Sequence, residues 1–440
     1  MPLRSRSVPL QFILISALYA AIGILIWVRY FPDMNAVEFI TYRTAAVALL
    51  NGHSPYPALA GDAISGGHAF VYPLLVAIGF LPFGLLPLHL GVFLYRLGLF
   101  VALFVAGALA GRTRGIAVMT FALWATPTIT ALQVGSLEPL FFLALVLVWR
   151  YWRRLVTSGA ILGSVAVAKL YLAPLLLIVL IARRLRRTLS AFVGVAVWVP
   201  LVLAFIPGMA TYIAIVTHLS AHEASSGWSF QSAVAPVVGT GHLGELLGAT
   251  IAVALMAPGL WGDYRRARHE PNWEPDLSTF GRYVVVALIA SPIVWSHYYV
   301  LVVLVILGRQ GVMRQALFTL LTWVIVTPDT VPAHGRYLGI GLAAVGLLLA
   351  GTTIHPRRQR LGPLVRSWSF ESRCGLDHLG LGAGIIAAAL IIASITIAPG
   401  VAGAGIAQLT MVGYLLYASR TSTTPASRDH LTVSASAPSS

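Results

Sequence analysis

The sequence predicts an all-α, polytopic integral membrane protein with about 12–14 membrane segments, each needing a run of roughly 20 apolar residues. Three observations predict it. Hydrophobic residues make up 58% of the 440 positions and charged residues only 10%, with a mean hydropathy of +0.85, which is far greasier than a soluble domain. Apolar runs at 10–28, 88–110 and 379–398 are each long enough to cross a hydrocarbon slab of roughly 30 Å. Arginines arrive in short bursts between such runs, at 112/114, 150/153/154, 183–187, 265–268, 309/314 and 357–360, which is the positive-inside pattern of membrane topology.

The same signals justify each element in turn. Arg4 and Arg6 precede the run 10–28 without a small-x-small cleavage site, so that run reads as an uncleaved first span leaving the cytoplasm. Residues 29–70 form an external loop with an amphipathic stretch at 36–50 and a Gly-, Pro- and His-rich end. The proline-broken piece 72–87 lies at the outer surface or re-enters partway. Residues 88–110 cross inward to Arg112 and Arg114. The pair 116–132 and 140–149 is joined by an external turn holding Gln133, Gly135, Ser136 and Glu138. Runs 160–168 and 170–182 are too short for straight crossings, and read as a broken pair meeting at Lys169. Residues 189–206 cross outward, 207–231 form a second external loop, and 243–260 return.

The polar stretch 263–282 is cytoplasmic, and 283–295 with 298–307 forms an outward-and-back pair around His297. Further spans follow at 315–326 and 338–350, with a last hairpin at 379–398 and 401–418. One membrane domain therefore covers 1–418, and 419–440, rich in Ser, Thr and Pro, forms a disordered cytoplasmic tail. Both termini lie in the cytoplasm. Of the 29 lysines and arginines, only Arg29, Arg43, Arg96, Lys169 and Arg336 fall outside the inner segments.

Composition also excludes function classes. The net charge of +15 is spread among the inner loops, whereas a nucleic-acid face gathers charge with aromatic partners in one module. A single cysteine, Cys374, excludes an internal disulfide framework and any Cys-rich metal site. No Walker-type phosphate loop and no Gly-x-Gly-x-x-Gly fingerprint is present, which disfavours an energy-coupled pump or a nucleotide enzyme.

Isolated ionisable residues in so apolar a chain are functional candidates, because charge near a bilayer core is expensive. Glu38 lies four residues before Tyr42, on the same helical face, where it is either a general base for a substrate hydroxyl or a solvated acid. Asp33 and Asp62 are rival carboxylates in that loop. Tyr72, in Phe70-Val71-Tyr72-Pro73, reads as an interfacial aromatic anchor. Ser136 and Glu138 offer groups for sugar hydroxyls, or Ser136 caps a helix. Lys169, the only lysine, either holds a phosphate or snorkels to the interface. Ser291-Pro-Ile-Val-Trp295-Ser-His297-Tyr298-Tyr299 joins a helix breaker, an interfacial tryptophan and a histidine able to donate to a phosphoryl oxygen. His218 and His222 have i, i+4 spacing, but His-Glu-x-x-His is absent, so no metal site is expected. Loop contacts from His222, His334 and Arg336 are expected instead.

Together these strings resemble the integral-membrane glycosyltransferases of family 87, in the GT-C superfamily. That family includes actinobacterial and mycobacterial polyprenyl-phosphomannose-dependent α-mannosyltransferases. The matching pieces are Glu38-x-x-x-Tyr42 with Ala45, Gly52-x-x-x-Tyr56, Phe70-x-Tyr72-Pro73, Gly135-Ser-x-Glu138-Pro139, Lys169 with Pro174, and Ser291-Pro-x-x-Trp295-x-His297-Tyr298. The family usually carries aspartate where Glu38 stands, and amides where Ser136 and Glu138 stand.

The resemblance implies a GT-C-like fold in the cell membrane and an extracytoplasmic active site in the first loop. It implies a polyprenyl-phosphate sugar donor, mannose leading, and a glycolipid or lipoglycan acceptor, with inverting transfer and neither metal nor cofactor. Glu38 is then the base, with Asp33 as its alternate, and Lys169 and His297 hold the donor phosphate. Tyr42, Tyr72, Ser136, Glu138, Trp295 and Tyr298 are expected around the substrates, with His222 and Arg336 as further alternates. A pentosyl (arabinosyl) transferase of the same architecture, a transporter or flippase of lipid-linked precursors, and a silent scaffold are the rivals.

Overall fold

A computed structural model describes residues 9–30, 36–56, 69–123, 125–181, 209–223, 228–231, 242–270 and 273–308. Every regular element among the described residues is helical. In lipid a backbone must satisfy its own hydrogen bonds, and local i to i+4 bonding does so for each apolar run.

Helix α1 (Leu10–Tyr30) is one such run. Its Leu10, Leu14, Ile24 and Val28 side chains are exposed, as a lipid-facing surface requires, while Tyr19 turns inward and donates to Phe100 O at 2.8 Å. Helix α2 (Val37–Leu50) buries Glu38, Phe39, Thr41, Tyr42, Ala45 and Ala46. The amphipathic stretch of the first external loop is thus a helix that turns its acid into the protein, not toward water. Short helices α3 (Leu74–Gly79) and α4 (Leu81–Gly84) pack against α2, and prolines at 73 and 82 account for the breaks. Helix α5 (Leu88–Gly111) is a second long span and packs on α6 (Thr113–Ala122).

The sequence predicts one span over 116–132, but the structure makes two helices, α6 and α7 (Thr126–Val134). Pro127 sits in the first turn of α7, where its missing N–H costs nothing and its ring cannot continue a preceding helix. Helix α8 (Glu138–Arg150) follows at a bend of 113° after Gly135. Helix α9 (Leu155–Ala168) ends at Lys169, whose φ of −139° and ψ of 101° are extended. A 3-10 segment, Leu170–Leu175, and a short helix, Leu176–Ile181, continue the chain. The break at Lys169 matches the two short runs read from the sequence.

The stretch 207–231, expected as the second external loop, contains a helix, Met209–Glu223. The helix His242–His269 runs beyond the expected span end at 260. Asp263 is consequently buried, accepting from Arg266 at 2.6 Å and from Arg282 at 3.1 Å. The predicted polar connection 263–282 shrinks to the few residues before Leu277–Ala290. The 3-10 segment Ser296–Val302 and the helix Val303–Gly308 close the described fold.

Among the described residues, three helices are long and apolar enough to cross a membrane, Leu10–Arg29, Leu88–Gly111 and His242–His269, and the bent pair Pro127–Val134 with Glu138–Arg150 can form a fourth. The expected spans at 189–206, 315–326, 338–350, 379–398 and 401–418, and the tail 419–440, lie outside the described residues.

Candidate active site

Four breaks in helical structure build the site. Helix α2 begins after Ala36, which adopts a left-handed φ of 39°, and Glu38 therefore lies in its first turn. The bend at Gly135 starts α8 with Glu138. The break after α9 leaves Lys169 extended. The stretch after Ser291 ends in Trp295, φ −101° and ψ 157°, which presents His297 in the first turn of the following 3-10 segment. Ser291 Oγ donates to Ile293 O at 2.6 Å, bracing that stretch.

These breaks bring together residues up to 259 positions apart in number. His297 Nε2 stands 2.9 Å from Glu38 Oε1 and 3.9 Å from Glu138 Oε2. Lys169 Nζ bonds Glu138 Oε1, and the Ser136 hydroxyl donates to Glu138 Oε2. The Tyr42 hydroxyl donates to Glu38 Oε2, as their shared helical face predicts. Glu138 is 0% exposed, Lys169 4%, His297 5% and Glu38 9%. Burial raises the Glu38 carboxyl, but the charges of His297 and Lys169, with the Tyr42 hydroxyl, outweigh it and hold it at about 2. Lys169 is not a snorkelling side chain. Its ammonium lies 3.9 Å from the Tyr298 ring centroid and 5.2 Å from that of Tyr72, a cation–π setting.

Beside the cluster lies a cavity of about 370 Å³, in the size range of ligand pockets. Its wall is largely apolar, with Val71, Leu170, Val216, Leu219 and Ile293, and includes Lys169, Tyr72, Tyr298 and Trp295. Tyr171, which sequence reasoning did not single out, also lines it and stacks on Tyr298 at 4.8 Å and 10°. Its position two residues after the lone lysine was the only available signal. Among the described residues, the Tyr72 hydroxyl, the Tyr171 hydroxyl and His297 Nε2 are buried without an aligned hydrogen-bond partner. Buried polar atoms normally find one, so these three suit a polar ligand.

One expectation changes. Ser136 makes no helix cap; its hydroxyl goes to Glu138. Ser136 and Glu138, both expected around the substrates, bond each other, and Glu138 also holds the Lys169 ammonium. Ligand atoms of Glu38, Glu138 and His297 lie within 4.8 Å of one another, a spacing a metal ion can bridge. Here, however, Glu138 already carries the Lys169 ammonium and Glu38 the Tyr42 hydroxyl. Asp33, Asp62, His334 and Arg336 lie outside the described residues, and His222 lies on the Met209–Glu223 helix with its side chain undescribed.

A helical protein with lipid-length apolar spans, and a buried acid–base cluster whose Lys169 lines an apolar cavity, has the make-up of a membrane enzyme. The model of Glycosyltransferase family 87 matches residues 70–292, half of the chain, and the chain belongs to that family. It is a membrane glycosyltransferase, and the transporter reading gives way. The matched span contains Tyr72, Ser136, Glu138 and Lys169; His297 falls just after it, and Glu38 lies well before its start at residue 70. No curated protein and no solved structure matches the chain.

Proposed function

We propose that this glycosyltransferase moves a sugar, with mannose leading, from a polyprenyl-phosphate donor to a glycolipid or lipoglycan acceptor at the outer face of the cell membrane. The observation that carries the reading is the juxtaposition of an apolar cavity with the Glu38–His297–Lys169–Glu138 cluster. A polyprenyl-phosphate sugar has matching parts: a long apolar tail, an anionic phosphate and a ring of hydroxyls. The tail stays in lipid and the cavity wall, the phosphate meets Lys169 and His297, and the sugar meets the hydroxyls of Tyr72 and Tyr171.

Glu38 takes the proton of the acceptor hydroxyl. That oxygen forms a bond to the anomeric carbon from the face opposite the phosphate, while the carbon–phosphate oxygen bond breaks and its electron pair leaves with polyprenyl phosphate. Configuration inverts. Lys169 and His297 stabilise the negative charge gathering on the leaving phosphate, where fixed donors in a water-poor site are strongest. The charge that a metal would neutralise is met by these two side chains, and transfer proceeds without one.

Purified protein incubated with radiolabelled polyprenyl-phosphomannose and membrane glycolipids tests the reading. Label moving into the acceptor, with release of polyprenyl phosphate in the presence of chelator, is the expected outcome. Transfer from a pentose donor alone replaces mannose, and vectorial movement without bond cleavage removes the transferase reading of this donor. Glu38→Gln keeps shape and loses basicity, so turnover should drop at least a hundredfold with the fold intact, in line with the typical worth of a general base. Undiminished turnover removes Glu38 from the mechanism.

A further inference from the structure

The donor reading leaves one buried group without a task. Glu138 is fully buried and is absent from the cavity wall that Lys169 helps to form. Its oxygens take the Lys169 ammonium and the Ser136 hydroxyl, with His297 Nε2 at 3.9 Å from the second oxygen. Lys169 is the only lysine in the chain, and its side chain is 3% exposed. The ammonium has Glu138 on one side and the Tyr298 ring, 3.9 Å away, on another. An anion entering the cavity therefore meets a cation already neutralised by a fixed carboxylate.

The charge inventory makes this consequential. Two carboxylates, Glu38 and Glu138, share a buried space with one ammonium and one imidazole; the other facing groups are the tyrosine hydroxyls of residues 42, 72, 95, 171 and 298. Buried charges are tolerated only when paired, so a phosphate needs Lys169 and one carboxylate must yield it. Glu38 is bonded to Tyr42 and faces His297. Glu138 is the carboxylate bonded to the ammonium.

We infer that Glu138 is a positioning residue that holds, in the donor-free enzyme, the place on Lys169 that the donor phosphate takes. Carboxylate and phosphate exchange on the ammonium in each cycle, and the freed Glu138 stays held by the Ser136 hydroxyl with His297 Nε2, 3.9 Å from its second oxygen, as its nearest cation. The departing polyprenyl phosphate, a monoester, carries more negative charge than the diester donor and binds a bare ammonium more tightly. The return of Glu138 to Lys169 displaces it. This rests on the donor reading above.

Binding of polyprenyl phosphate to the detergent-solubilised full chain, by titration calorimetry, tests the exchange. Glu138→Gln removes the competing charge, so the variant should bind polyprenyl phosphate at least tenfold more tightly than the wild type. In turnover its KM for the donor and its kcat should fall together, because product leaves slowly. Equal or weaker binding by the variant shows that Glu138 only braces Lys169, and overturns the inference while the donor reading stands. Should the variant fail to fold, a cryo-EM structure of the wild type with polyprenyl phosphate decides. Lys169 on the phosphate with Glu138 detached supports exchange; Lys169 still on Glu138 with the phosphate elsewhere overturns it. No binding by the wild type overturns the inference and the donor reading together.

Discussion

Glu38 illustrates how a residue can be ionised and yet idle. Its carboxyl is held at about 2 because His297 and Lys169 outweigh its burial, and a carboxylate so stabilised is a weak base. The groups that restrain it are those proposed to grip the donor phosphate. As they turn toward that phosphate, Glu38 loses part of its counter-charge and becomes more basic, at the moment an acceptor proton has to be taken. The sign of the effect is testable. kcat/KM follows the free enzyme, so in the wild type it should stay level through the ordinary carboxylate range of about 4. His297→Asn removes the counter-charge, burial then acts with less opposition, and the Glu38 pKa rises. The fraction ionised falls at a given acid pH, so the acid limb should move upward by about 1 unit or more. An unmoved limb in the normalised profile shows that His297 does not set the state of Glu38. Much of this residue set was legible in the sequence, because Glu38, Lys169 and His297 are conspicuous in an apolar chain. The partnership of Glu138 with Lys169 was not: 31 positions separate them, and only the folding of α8 against α9 reveals that the acid faces the amine.

At the scale of the element, the site is made by interruptions, and each has a local cause. Gly135 ends α7 with a φ of 72°, the left-handed region that side chains resist. A Cβ there would also stand 2.8 Å from Phe39 Cβ, and Phe39 is the neighbour of Glu38 on α2. The turn thus sets two things at once, the direction of α8 and the seat of α2. Gly135→Ala should cost on the order of 1–2 kcal/mol from the backbone conformation alone. It should also push α2 away and lower turnover at least tenfold while the protein still folds. Turnover that falls only in proportion to the folded fraction shows that the turn is structural alone. Gly281 lets Leu277–Ala290 approach Val303–Gly308, since a Cβ on it would lie 2.8 Å from Val305 N; small residues let helices approach closely in lipid. These features were partly legible. The proline and glycine breaks at 73, 135 and 292, and the shortness of the runs around Lys169, announced irregular backbone. The split between α6 and α7 escaped notice because apolarity continues across Leu123–Ala125 and masks the helix start that Pro127 imposes.

For the whole molecule, the decisive property is that a buried ion cluster sits inside a bundle whose long helices turn apolar side chains outward. Leucines 10, 14, 88, 90, 94 and 97 are exposed along α1 and α5, where water would penalise them and acyl chains do not. Arg265 and Arg268 stand exposed at the close of His242–His269. The charge pattern that predicts a cytoplasmic side there is legible in the sequence alone, since basic side chains cross membranes poorly. Helix-by-helix placement was less so, because hydropathy registers length and not bending. A polyprenyl-phosphate donor available at the outer surface requires that the residues after α2 face outward and that Arg268 face inward. The chain has one cysteine, Cys374, so a Cys374→Ser background gives a clean test. In that background, an impermeant maleimide should label His53→Cys in intact cells, because His53 is exposed just beyond α2. Arg268→Cys should react only after the cells are permeabilised. Labelling of Arg268→Cys in intact cells, with His53→Cys protected, would invert the topology and place Glu38, His297 and Lys169 on the cytoplasmic side, where a donor at the outer surface cannot reach them.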